Sequence, residues 1–158
     1  MGTEGASETT PPEVPRGAVP TAIVAAQDFR TRLLLRGLLL TQHVQIVGEA
    51  ETSRQCLSLV RRARPSHLIV HLNLGDGTAF GLIAEVRGAV PGVRIILVTP
   101  LQRAGSLGQK PSERPDAVLA EPFTMLDFSA ALYPPAEGAA SGGAAKTLAH
   151  ERQRAFEP

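Results

Sequence analysis

Five short apolar runs, separated by segments with helical spacing, set the strongest limit on what this chain can become. The runs are TAIVAA (21–26), VQIVGEA (44–50), HLIVHL (67–72), VRIILVT (93–99) and DAVLA (116–120). Around them lie FRTRLLLRGLLLTQ (29–42), RQCLSLVRRAR (54–64), AFGLIAEVRGAV (79–90) and MLDFSAALY (125–133), where apolar residues recur every three or four positions. Strands that are apolar nearly throughout must be covered on both faces, and strand–helix alternation with short links implies parallel pairing. Right-handed crossovers then make an α/β, doubly wound, flavodoxin-like sheet of five parallel strands, order 2-1-3-4-5, the expected fold. Asp28 and Ser53 stand where N-caps of the first two helices are wanted. One element is weak. PLQRAGSLGQKPSERP (100–115) carries Gly and Pro where a fourth helix belongs, which predicts a degraded helix or a loop.

The core must be built from Leu, Val, Ile and Ala, because the 158 residues include only five Phe, one Tyr and no Trp. Hydrophobic residues make up 43% of the chain, enough for one compact domain. The single Cys56 excludes an internal disulfide framework and a multi-cysteine metal site, and reads as a small core hydrophobe. Such cysteine usage fits a reducing cytoplasm. A net charge of +1 argues against a dedicated nucleic-acid binder. No apolar run reaches membrane-spanning length, and the first residues lack a signal-peptide core. Residues 1–20 are expected to be a disordered tail, 21–133 the domain, and 134–158 a flexible tail with the sequence for a short amphipathic helix at 145–156.

In a sheet of this kind ligands collect at the carboxyl ends of the strands. That places Ala26 and Gln27, His71, Thr99, Glu121 and Pro122 at the candidate site. The segments IVAAQD, VGEAETSRQCLSLVRRARPS, HLIVHLNLGDG, VRIILVT and LAEPF together resemble the receiver (CheY-like) domain of bacterial response regulators. More narrowly they are similar to receivers of the LuxR-type two-component regulators, over residues 21–133.

The resemblance implies a test of function. A working receiver holds Mg²⁺ on an acidic pair ending strand one and takes a phosphoryl group on an aspartate ending strand three. A Ser or Thr ending strand four and a Lys-Pro after strand five contact that group. Oxygen ligands suit a hard cation, and cationic groups offset the transferring charge. In this chain the acidic pair falls on Ala26 and Gln27, the phosphoacceptor on His71, the lysine on Glu121 and the aromatic switch residue on Val118. Only Thr99 and Pro122 keep the pattern. What the resemblance implies is thus a degenerate, aspartate-less receiver with no phosphoacceptor, no catalytic residue and no metal or other cofactor, Mg²⁺ included. It also implies that Glu121–Pro122 keeps the cis bond used at that turn.

His71 is read as a hydrogen-bonded structural residue filling the vacated pocket. A metal-binding reading would need Asp28, His71 and Asp76 to converge. His67, at a strand start, is expected to be partly exposed. The glycines of GDGTAFG lack dinucleotide-binding spacing and are expected to serve turn geometry. Arg61, Arg62 and Arg64 read as a solvated helix end. The expected function is a phosphorylation-independent protein-interaction regulator of two-component (phosphorelay) signalling, cytoplasmic and not an enzyme. Residues after 133 are too few for a helix-turn-helix, so no DNA-binding output domain is expected. Its partners would be proteins, such as another regulator or a histidine kinase, without direct contact to nucleic acid or membrane, and segment 100–115 would be an altered partner surface. The alternative is a small-molecule-sensing pseudo-receiver whose vacated pocket binds a metabolite. A residual phosphorelay component and an enzyme are the remaining classes, and the last finds no nucleophile, base and oxyanion donor at the strand tips.

Overall fold

A computed structural model describes residues 19–101 and 110–134. The two expected tails, including the 145–156 helix, lie almost wholly outside the described residues. Strand β1 (Thr21–Ala25) leads to helix α1 (Phe29–Thr41), β2 (Gln45–Ala50) to α2 (Ser53–Ala63), and β3 (His67–His71) to α3 (Ala79–Ala89). Strand β4 (Arg94–Pro100) is followed, across the undescribed residues, by a 3₁₀ turn at Pro111–Glu113, then β5 (Ala117–Glu121) and α4 (Met125–Leu132). All neighbours are parallel and the order is β2-β1-β3-β4-β5, the doubly wound sheet the alternation demands. A two-stranded antiparallel ribbon, Asn73–Leu74 with Gly77–Thr78, sits between β3 and α3. It was not anticipated, because two residues per strand leave no periodicity to detect.

Side chains alternate across the sheet, and each face packs on its own helices. On one face Ile23, Ala25, Leu68, Val70, Ile95 and Leu97 meet Cys56 and Val60 of α2 and Leu82, Ile83 and Val86 of α3. On the other, Ala22, Val24, Ile69, Ile96 and Val98 meet Leu35 and Leu39 of α1 and Phe128 and Leu132 of α4. Each fully buried Leu, Ile or Phe contributes about 1.5–3 kcal/mol of burial free energy. Cys56 is completely buried, and desolvation pushes its thiol up to about 12, as befits an inert core residue.

The helix starts follow side-chain capping. Asp28 accepts the Thr31 N–H at 3.0 Å, as expected. For α2 the cap is Thr52, not Ser53: the extended residue whose hydroxyl accepts the Gln55 N–H (3.1 Å) lies one position earlier, and Ser53 is already helical. Thr124 and Asp127 form a reciprocal capping box on α4. Of the 100–115 connection, residues 102–109 lie outside the described residues. The described remainder is held to the body by Arg87 of α3, which donates to Asp116 at 3.1 Å and to the Arg114 carbonyl at 2.8 Å.

His67 corrects one expectation. It is buried, only 6% exposed, because the last helix returns over the start of β3. Its Nε2 lies 3.1 Å from the Leu132 carbonyl, its Nδ1 3.0 Å from Ser66 Oγ, and Tyr133 packs edge-on at 5.8 Å. Arg94 donates to the neighbouring Ala131 carbonyl at 2.6 Å, so two orphan carbonyls of α4 are satisfied from the sheet.

Burial first, and then the nearby Arg94 charge, push the His67 pKa below its ordinary 6.5. The folded state thus favours the neutral ring while the unfolded chain takes up the proton more readily. This contribution is complete above pH 6.5 and is lost as the pH falls through the folded value, at most about 1.4 kcal/mol per pH unit. Urea unfolding between pH 7.5 and 5 should show wild type losing more stability than His67→Gln over that window. Parallel losses in the two proteins would assign the pH dependence to other groups.

Candidate functional site at the strand tips

The sheet brings the sequence-predicted residues to one edge. Ala26 follows β1 and is buried, its N–H held by the Ala50 carbonyl at 3.0 Å. Gln27 is exposed beside it. His71 ends β3 in register with Val98, Thr99 lies opposite Ala120, and Pro100 lies opposite Glu121. The Glu121–Pro122 bond is cis.

Two of these side chains meet. His71 Nε2 is 3.4 Å from Glu121 Oε1, and His71 Nδ1 accepts the Asn73 N–H at 3.2 Å. A backbone N–H can only donate, so the neutral ring carries its hydrogen on Nε2 and aims it at the carboxylate. Both nitrogens are thereby engaged, leaving no lone pair to attack a phosphorus or bind a metal. Thr99 is buried, and its hydroxyl is 3.4 Å from the adjacent Pro100 carbonyl.

The acids that a metal site would need are committed elsewhere. Asp28 caps α1 through Thr31, whose backbone and hydroxyl hydrogen bonds lower its pKa. Asp76 caps α2, accepting the Ser53 N–H at 2.8 Å and the Arg54 N–H at 3.3 Å, and the Ser53 bond leads the lowering of its pKa. No group of three His, Cys, Asp or Glu converges on a possible ion among the described residues. The GDG turn exists for this cap: Gly75 donates to the Glu51 carbonyl at 2.8 Å, and Gly77 takes φ +135°, a value a side chain would strain.

The residue that organises the β1 tip is Arg32, which the sequence reading did not single out. It is buried, and its Nη1 donates to the carbonyls of Ala26 (2.7 Å) and Gln27 (3.2 Å). Its Nε lies 3.5 Å from Glu49 and its Nη2 3.3 Å from Glu51. A cationic side chain thus holds the backbone at Ala26 and Gln27, and its charge opposes a divalent ion there. The available signal was an arginine three and seven residues before Leu35 and Leu39, on the same buried face of α1.

Beside the site, and not within it, lies an open groove of about 580 Å³ between α1 and the β5–α4 turn. Leu34, Leu38, Leu101, Phe123 and Met125 supply its apolar lining, and of the six predicted site residues only Glu121 and Pro122 reach it.

Arg32→Ala should cost about 1.5–3 kcal/mol in urea unfolding, since carbonyls and carboxylates lose a charged donor. Glu121→Gln, at a half-exposed pair, should cost under about 1 kcal/mol. Nitrogen-15 spectra at neutral pH should report the Nε2–H tautomer of His71. Equal costs for the two variants, or an Nδ1–H ring, would contradict this geometry.

No family model matches the chain, and no curated relative matches its sequence. Solved structures match its fold. A LuxR-family DNA-binding response regulator from Staphylococcus aureus aligns with a TM-score of 0.65 at 16% identity, covering 72% of this chain and 96% of that one. A CheY-like response-regulator receiver domain from Methylobacillus flagellatus gives 0.60 at 19% identity, over 74% and 95% of the two chains. A mutant of the anti-anti-sigma factor PhyR from Bartonella quintana gives 0.63 at 15% identity over 72% of this chain, which spans only 47% of PhyR. At such identities the likeness is one of fold. The sheet order, the helices on both faces and the strand-tip site together make this the response-regulator receiver fold.

Proposed function

We propose that this protein is a degenerate receiver that regulates by binding other proteins, without being phosphorylated and without catalysing a reaction. The observation that carries the reading is His71 at the phosphoacceptor position, hydrogen-bonded on both ring nitrogens and facing Glu121 where a receiver has its lysine. Removing the acceptor, the cation ligands and the cationic partner removes each electrostatic requirement of phosphoryl transfer. The receiver-like unit is residues 21–133 and the compartment the cytoplasm; no helix among the described residues is long and apolar enough to cross a membrane. Of the fold's relatives, PhyR is an anti-anti-sigma factor by name, which is the kind of protein-directed output the reading assigns to this chain.

Incubation with acetyl phosphate and Mg²⁺, read by intact mass, should leave the wild type unchanged. His71→Asp should also stay unchanged, because Ala26, Gln27 and Glu121 still lack the required groups. Phosphoryl uptake by the wild type would overturn the proposal. The groove beside Glu121 supports a second reading, small-molecule sensing, displaced from the vacated pocket to the α1 side. A ligand there would raise the melting temperature by mass action, an effect that Leu34→Arg should abolish.

A further inference from the structure

Helix α2 and its C-cap turn four arginines outward and no acid. The stretch from Ser53 to Arg64 contains no Asp or Glu, and Arg54, Arg61, Arg62 and Arg64 are all exposed. At 3.6 residues per turn, Arg54, Ser58, Arg61 and Arg62 fall on the face opposite the buried Cys56 and Val60. With Leu57 they line a shallow cleft of about 460 Å³. Elsewhere Arg32, Arg36 and Arg87 each meet a carboxylate. Among the described residues no ion pair reaches the four on α2.

The helix dipole accounts for only part of this pattern. It favours cations in the last turn, which suits Arg61 and Arg62, and disfavours one in the first turn, where Arg54 stands. A face that is cationic along its whole length, and built from arginine, is suited to a chain of carboxylates.

Such a chain is attached beside it. Residues 1–18 lie outside the described residues and carry Glu4, Glu8 and Glu13 against the single Arg16. The point where they join the body is fixed by hydrogen bonds. The Pro20 carbonyl accepts the Gln45 N–H at 2.9 Å, the Thr21 N–H donates to Ser66 Oγ at 2.9 Å, and the Ser66 N–H donates to Thr21 Oγ1 at 3.1 Å. Ser66 is two residues beyond Arg64, so the segment joins at the end of α2 where the arginines are densest. Glu13 stands seven residues before Pro20, a reach of up to about 24 Å, and α2 from Arg54 to Arg64 is about 15 Å long.

We propose that the acidic N-terminal segment lies back along the arginine face of α2, with Glu13 toward Arg61 and Arg62 and with Glu8 and Glu4 toward Arg54. Single exposed ion pairs are weak. Several at once on so short a tether, whose local concentration is on the order of millimolar, hold a contact that salt dissolves. An acidic chain from another protein reaches α2 only by displacing this segment.

Ser7→Cys accepts a nitroxide spin label without removing an acid, the native Cys56 being buried and unreactive. In the full chain at about 0.01 M salt, the label should broaden the amide signals of Arg54, Ser58, Arg61 and Arg62 about twice as strongly as those of Leu33 and Leu40 on α1, or more. That preference should vanish at about 0.5 M salt, where screening leaves only contacts of a few ångströms. It should vanish too in the exposed pair Arg61→Glu with Arg62→Glu, and return when Glu8→Arg and Glu13→Arg are added. Mixing spin-labelled chain with unlabelled nitrogen-15 chain should leave the α2 signals sharp. Broadening that is equal on α1 and α2, or indifferent to the reversal of Arg61 and Arg62, overturns the proposal and leaves the arginine face to an acidic partner. Broadening seen only between chains overturns it equally, by making the occupant a second copy.

Discussion

Strands β1, β3 and β4 send successive side chains to opposite faces, and both faces must leave water. Ile23, Leu68 and Ile95 go to one helical layer; Val24, Ile69 and Ile96 go to the other. Every other feature of the molecule follows from meeting that demand. Two layers require crossover helices, crossovers require parallel strands, and parallel strands bring all five carboxyl ends to one edge. The candidate site is where it is because the core is built as it is.

At that edge the charged side chains pair with the protein itself. The β1 tip is tied by a buried guanidinium, and the β5 tip ends in a carboxylate directed at a histidine ring. Aspartates that neighbour the site cap helices α1 and α2. Arg32 is stable in its burial because its Nε, Nη1 and Nη2 each face a carbonyl or carboxylate, the condition under which a buried charge is tolerated. The strand tips are therefore consolidated by internal pairs.

The fold was legible because it rests on periodicity. Continuous apolar strands and the leucine spacing of α1 report burial directly, residue by residue. The site was legible in outline, since strand ends can be counted from the same pattern, and all six predicted residues do lie at the carboxyl edge. Partnerships were not legible. Whether His71 faces Glu121 depends on a register between strands fifty residues apart. His67 looked exposed at a strand start because nothing local says that Leu132 returns to cover it. That Asp76 caps α2 was not legible either, because the N–H groups it accepts lie twenty-two and twenty-three residues earlier.

By itself, then, the sequence determined the element order, the parallel sheet and the two-sided core. These are local facts of residue type and spacing, and burial of apolar surface is enough to enforce them. Only the tertiary structure decided what stands at the strand tips: Arg32 under the β1 tip, and the Nε2–H of His71 aimed at Glu121. Hydrogen bonds and close helix contacts depend on distances of a few ångströms between segments remote in the chain, and only the packed fold sets those distances.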